Sequence, residues 1–244
     1  KRKDQFKDWK EGFIPIVFPI VLVCGLIVKD NFSTAGIVFM LAIGLLFLGR
    51  FPFSRILAIF AMAIGGLFLI VLVHKALPDL NLLPRYTTWE NRILNRMDTE
   101  SNVVDNAQAV NAQLAIYNGK IFGQGVGDGK LKEYLPEAYA DFYFSSFVEE
   151  FGSISAIVLT MAYLILLFRI FRIGLKADNL FETYFCIGIG MLLITQASVN
   201  MLVCTGVFPV TGQNMPLLAM GGSAMIMTCM AIGMVQSIAA KQEK

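Results

Sequence analysis

The stretch "FGSISAIVLTMAYLILLFRI", residues 151–170, decides the fold. From Phe151 to Phe168 no residue is charged. As an α-helix rising ~1.5 Å per residue, such a run is long enough to cross a hydrocarbon core of ~30 Å. Comparable runs recur on both sides of it. They place spans at about 11–28, 33–49, 53–73, 143–170, 181–208 and 214–240. With 56% hydrophobic residues and a mean hydropathy of +0.65, the pattern predicts an all-α polytopic membrane protein with six transmembrane helices. Cys24, Cys186, Cys204 and Cys229 all fall inside apolar segments and read as small core residues, not as a disulfide framework or metal site. His74 is the one histidine, which argues against histidine-based metal chemistry, and nothing points to a nucleic-acid partner. The chain starts at Lys1 with a basic run and no Met, as a piece of a longer or processed chain would.

The net charge of +2 says little as a sum, but its distribution gives a topology. Lys1, Arg2, Lys3, Lys7 and Lys10 precede the first span, and Arg50 and Arg55 flank the turn between the second and third. Arg169, Arg172 and Lys176 follow the fourth span, and Lys241 and Lys244 the sixth. The alternate short loops hold only Lys29. The positive-inside rule then puts both termini in the cytoplasm and the long loop outside. The expected organisation is three spans in 1–73, a large extracytoplasmic loop in 74–142, and three spans in 143–244.

That loop is too long for a mere connection. Within it, "VVDNAQAVNAQLAIYNG" (103–119) has apolar residues at roughly helical spacing and stops at Asn118-Gly119. A glycine strip follows, "GKIFGQGVGDGK" (119–130). It fails the phosphate-loop pattern, with Gln124 where Gly is needed and Leu131 where Ser or Thr is needed. Two readings stay open. The strip is a flexible loop or close backbone packing, or its amides join Lys120, Lys130 and Lys132 in holding an anionic headgroup.

Next comes "EYLPEAYADF" (133–142), with Glu133, Glu137 and Asp141 at four-residue intervals. A helix started at Pro136 and continued into the fourth span would align Glu137, Asp141, Ser145, Glu149 and Ser153 on one polar stripe. Beyond Ser153 the register turns apolar, at Ile157 and Met161, so the stripe occupies only the outer half. Acids at a helix start are favoured by the helix dipole, which accounts for Glu137 and in part Asp141. Glu149 and Glu150 lie too deep for that, and carboxylates at membrane depth face protein or water. Composition leaves a structural acid cluster and a reaction or transport site both open.

Two long segments then carry a resemblance. "LPEAYADFYFSSFVEEFG" (135–152) is similar to the LPE-x-x-x-DF…EE-x-G segment of the SEDS family (shape, elongation, division, sporulation). "NMLVCTGVFPVTGQNMPLLAMGGSAM" (200–225) is similar to its segment ending in GGS. "RYTTWENRI" (85–93) and the glycine strip also resemble the family's outer loop. The chain departs from the pattern at Asn31, Tyr139-Ala140 and Ala219-Met220. "DNFSTA" and "AYADF" favour the division-type, FtsW-like branch over the RodA-like one. The resemblance implies a fragment of a ten-span SEDS fold, matching its last six spans. It implies a peptidoglycan glycosyltransferase of the bacterial cytoplasmic (inner) membrane, acting in septal cell-wall synthesis with a class B penicillin-binding transpeptidase and other division proteins. The substrates implied are lipid II and undecaprenyl-diphosphate-linked glycan. Asp141 matches the family's proposed catalytic Asp, and Glu133 an important acid eight residues earlier.

The chemistry fits such residues. A sugar hydroxyl is a weak nucleophile, and a carboxylate within about 3 Å can take its proton during attack. Asp141 is the candidate base and Glu133 its supporting acid. A single displacement inverts the anomeric carbon, and diphosphate leaves without an acid. Its charge needs neutralising, by a divalent cation (Mg or Mn) or by Arg92, Lys120, Lys130 and Lys132. No organic cofactor is required. Glu149, Asn200, Thr211 and Ser223 are further candidate substrate contacts, although Asn200, like Gln196, could instead bond between helices. A lipid-substrate flippase and a non-catalytic division scaffold are the competing readings. A transporter should carry polar groups through the midplane, and here the stripe stops halfway.

Overall fold

The computed structural model describes residues 8–76, 103–130 and 140–242. Every regular element among them is helical. Among the described residues five helices are long and apolar enough to cross a membrane, and Phe32–Leu48 is a shorter apolar helix. The chain forms two compact units, residues 1–91 and 92–244.

In the first unit a π-helical turn, Trp9–Phe13, runs into α1 (Ile14–Val28), followed by α2 (Phe32–Leu48) and α3 (Phe53–Ala76). Asn31 stops one helix and starts the next. Its backbone is extended, and its side-chain oxygen accepts from the Thr34 amide at 3.0 Å. The turn between α2 and α3 closes on Arg50, which takes a left-handed φ of 58°. Phe13, Val17, Ile43, Phe51, Ile56 and Ile59 form the core, with Phe13 stacked on Phe51 at 6.3 Å between centroids. Arg55 lies over the same Phe13 ring and donates to the Asp8 carbonyl. The outward faces expose Phe18, Leu26, Phe47, Ile64, Phe68 and Leu69, a surface suited to lipid rather than water.

The second unit contains α4 (Val103–Gly119), α5 (Tyr143–Leu175), α6 (Leu180–Cys204) and α7 (Gly222–Gln242). α5 and α6 pair along their length, and α4 packs on both. Ala112 and Ala115 of α4 are fully buried, small residues that let this helix approach closely. Phe142, Phe144, Val148, Tyr163, Ala197, Val203, Met215 and Ala219 fill one core cluster. A second, Ile170, Cys186, Ile189, Leu193 and Val235, joins α5, α6 and α7. Near it, Lys241 pairs with Glu182 at 2.7 Å and Gln242 donates to the Ile173 carbonyl, tying the end of α7 to its neighbours.

Three expectations change. Helix α5 starts at Tyr143, after a turn at 140–142, so no single helix carries Asp141 in phase with Glu149. The same helix is broken at Gly152, whose φ of 82° and ψ of 176° lie far from helical values, which removes Ser153 from the stripe as well. Lastly, α6 ends at Cys204 and α7 begins at Gly222, so the expected spans 181–208 and 214–240 are shorter on their facing sides. Left-handed backbone at Gly206, Gly212 and Leu217, with Pro209 and Pro216 between them, rules out helix there. This connecting segment, 205–221, dips back into the protein. Met215 and Ala219 are buried, and the Pro216 carbonyl accepts from the Tyr163 hydroxyl, about 16 Å along α5 past Gly152. Non-helical backbone at that depth is stable because protein surrounds it.

Candidate functional site

Asp141 stands in the turn that opens α5, half-buried. Its backbone carbonyl accepts from Asn200 Nδ2 at 2.8 Å, and the same nitrogen donates to the Gln213 carbonyl at 2.9 Å. An amide nitrogen has two N–H groups, so each carbonyl takes one. Cys204, one turn on, places its Sγ 4.0 Å from the Asp141 carbonyl and 3.8 Å from Asn200 Oδ1. Asn200 is fully buried. It therefore fastens three separate pieces of chain: the acidic turn, the last turns of α6 and the re-entrant segment. The result brings the Asp141 carboxylate beside Gly212, with Oδ2 3.6 Å from where a β-carbon on that glycine would sit.

The other end of the first helical stretch of α5 is held by the glycine strip. The break at Gly152 frees the carbonyls of Glu149 and Glu150 from helical partners, and they accept from the amides of Gln124 at 2.9 Å and Gly125 at 3.1 Å. In return the amides of Ser153 and Ile154 donate to the carbonyls of Lys120 and Ile121. Main chain meets main chain so closely that side chains are excluded. A β-carbon on Gly119 would lie 2.1 Å from the Val148 carbonyl oxygen, on Gly123 2.1 Å from that of Glu150, and on Gly152 2.3 Å from that of Ile121. Lys120 takes a left-handed φ of 45° to aim its carbonyl at both the amide and the hydroxyl of Ser153. That conformation costs a non-glycine residue roughly 1 kcal/mol. Glu149 is fully buried, and its Oε1 accepts the Lys130 amide at 3.1 Å.

Of the residues singled out from sequence, the structure gathers Asp141, Asn200 and Thr211, with Gly212 and Gln213 next to Thr211 as the actual neighbours. Thr211 is buried, its hydroxyl without a hydrogen-bond partner among the described residues. Glu149 and Asn200 are inaccessible side chains bonded to backbone, not groups on an open surface. Lys120 and Lys130 are exposed, as is Ser223 on the first turn of α7. The amides of Gly123, Gln124, Gly125, Asp128 and Lys130 are all bonded within the protein, so the close-packing alternative for the strip is the one observed. Arg92, Lys132, Glu133 and Glu137 lie outside the described residues. Among the described residues no three His, Cys, Asp or Glu side chains come together to hold a metal. Asp141 lies in the turn before α5, and Glu149 lies about 9 Å along the helix axis from Tyr143. Glu133 and Glu137, the neighbouring acids of the motif, lie outside the described residues, and no step is assigned to a cation. Sequence reasoning missed the break at Gly152 and the pair of hydrogen bonds that Asn200 donates. The glycine in "EEFGS" does not by itself announce the first, and the second shows only as a polar residue in an apolar run.

Comparison with known proteins follows the same lines. The sequence model of the FtsW, RodA and SpoVE family, described as "Cell cycle protein", matches residues 1–244. A probable peptidoglycan glycosyltransferase FtsW of Geobacter sulfurreducens is 32% identical over 244 residues, covering 99% of this chain and 62% of that one. Proteins of the same description from Marinomonas mediterranea and Coxiella burnetii are each 31% identical, covering 93% and 96% of this chain and 55% and 61% of theirs. The chain thus spans about three fifths of the length of these curated relatives. A chain in a solved structure, reported under "Structural coordination of polymerization and crosslinking by a peptidoglycan synthase complex", superposes with a TM-score of 0.67 at 24% identity, over 97% of this chain and 63% of that chain. At that identity the likeness speaks for the fold. Helices fit for a membrane, two signature segments and a match over its whole length agree: this multi-pass membrane chain belongs to the FtsW, RodA and SpoVE family, the SEDS family its motifs resemble.

Proposed function

We propose that the protein to which this chain belongs is a peptidoglycan glycosyltransferase that polymerises lipid II at the outer face of the cytoplasmic membrane, with Asp141 as general base, in septal wall synthesis. The observation that carries the reading is the fastening of the Asp141 turn by Asn200 against the re-entrant segment. A catalytic carboxylate must be held at a fixed place, and here its own backbone is anchored while its side chain stays half-exposed.

In the reaction, the C4 hydroxyl of the incoming GlcNAc attacks C1 of the MurNAc that carries undecaprenyl diphosphate. The new O4–C1 bond forms as the bond from C1 to the diphosphate oxygen breaks, with inversion. The hydroxyl proton passes to the Asp141 carboxylate, and undecaprenyl diphosphate leaves. General-base help of this kind is worth about 10²- to 10⁴-fold in rate. Exposed Lys120 and Lys130 are candidates to balance the charge of the leaving group. Arg169, Arg172, Lys176 and Lys241 sit at or beyond the far ends of α5 and α7 from Asp141, which favours a cytoplasmic placement of that end and an outward placement of the acid. The relatives' descriptions support the activity, and the complex described for polymerization and crosslinking is consistent with a crosslinking partner. Lipid II polymerisation by the full-length protein with its partner, wild type against Asp141→Asn, tests the assignment.

A further inference from the structure

We propose that Glu149 is a positioning residue for this site: a buried carboxyl group that acts through the Lys130 amide to hold the loop against α5, and thereby fixes the helical stretch whose other end carries Asp141. The inference rests on the reading of Asp141 as base and extends it to a residue that substrate does not reach.

Glu149 is fully buried, a costly place for a carboxyl group unless its oxygens find donors. Oε1 has one in the Lys130 amide at 3.1 Å. Gly129 lies so close that a β-carbon there would stand 3.0 Å from Oε2 and 3.3 Å from Cδ. The carbonyl of the same residue, released by the Gly152 break, accepts the Gln124 amide. One residue therefore grips the strip at two points, 124 and 130, by main chain and by side chain. Residues 143–151 form a short helical bar between this grip and the Asn200 fastening at Asp141. Lys130 is held at one end of the bar and the Asp141 turn at the other. What the grip needs from Glu149 is an acceptor of the right length. It does not need a charge facing substrate.

Acceptor and charge separate by substitution. Glu149→Gln keeps a carbonyl oxygen at the same reach, and Glu149→Ala removes it. Gly129→Val pushes a branched side chain into the Glu149 carboxyl group while leaving residue 149 itself unchanged. The experiment uses the full-length protein with its partner, and reads lipid II polymerisation kinetics together with amide hydrogen exchange of the peptide containing Lys130. Misplacement of a catalytic group by about 1 Å can cost 10²-fold, so Glu149→Ala and Gly129→Val should lose at least about tenfold in kcat. KM should stay within about threefold, and the Lys130 peptide should exchange faster. Glu149→Gln should restore kcat to within about threefold of wild type and restore protection.

If Glu149→Gln falls as far as Glu149→Ala, the charge matters and the proposal fails. It also fails if Glu149→Ala leaves Lys130 protected, or if the loss lies in KM alone. Should Glu149→Ala not fold, Glu149→Gln and Gly129→Val decide. Failure of the base assignment would show separately, as an active Asp141→Asn, and would leave the exchange pattern of the Glu149 variants unchanged.

Discussion

Asn200 shows how much a single buried amide can organise. Two carbonyls outside regular helix, those of Asp141 and Gln213, both accept from its Nδ2. Leaving a buried carbonyl unpaired costs about 1–3 kcal/mol. Asn200→Ala is therefore expected to destabilise the protein by about 2–4 kcal/mol, read as a fall in thermal unfolding temperature in detergent. Asn200→Asp retains the size but offers no N–H when ionised, and should lose about as much. A loss below about 0.5 kcal/mol for either would mean that other groups hold the turn. The sequence could nominate Asn200 as a polar residue on an apolar helix but left open whether it lined a cavity or bonded between segments. Its partners are backbone carbonyls, 59 residues upstream and 13 downstream, and carbonyls leave no mark in a sequence.

At the scale of elements, the decisive feature is a helix that stops being one for a single residue. Spans are legible in apolar runs because membrane helices must be long and greasy, and α1, α3 and α5 begin within a few residues of the expected positions. The break at Gly152 is not legible. Glycine is common inside membrane helices, so its presence in "EEFGS" does not announce a break. A phase count that runs one helix from Pro136 onward therefore aligns Asp141, Glu149 and Ser153 on a face they do not share. The need of buried Glu149 for protein partners is legible all the same, because the cost of burying a carboxylate is independent of phase. Gly152→Ala tests the break directly. A β-carbon there meets the Ile121 carbonyl oxygen at 2.3 Å and sits at a φ of 82°, so the variant should let α5 close into one helix and release the strip. The expected result is faster amide exchange at residues 121–125, with stability lowered by about 2 kcal/mol or more. Unchanged protection would show that the packing of the strip on α5 does not depend on the break.

For the whole molecule, the question is sidedness. Lys120 lies beside the break near the Asp141 end, and Lys241 lies at the far end of α7. In a background with Cys24, Cys186, Cys204 and Cys229 replaced by alanine, Lys120→Cys should react with an impermeant maleimide added to intact cells. Lys241→Cys should react only after permeabilisation. The reverse pattern would place Asp141 on the cytoplasmic side and end the lipid II reading. The Lys241–Glu182 pair itself is a solvent-screened ion pair at one edge. The expected topology rests on lysine and arginine clustering on alternate junctions, and the labelling decides it. The re-entrant path of 205–221 is legible only as a set of prolines and glycines that forbid helix, since where a broken segment goes depends on what surrounds it.

The central claim is that Asp141 takes the proton from the attacking sugar hydroxyl. Its most direct test is the rate at which the full-length protein, with its transpeptidase partner, converts lipid II to glycan strands when Asp141 is changed to Asn. The carboxamide keeps the volume and leaves the backbone carbonyl that Asn200 holds, so folding and partner binding should persist. The account predicts a fall in rate of about 10²-fold or more. A folded, partner-bound Asp141→Asn protein that polymerises at the wild-type rate would contradict it.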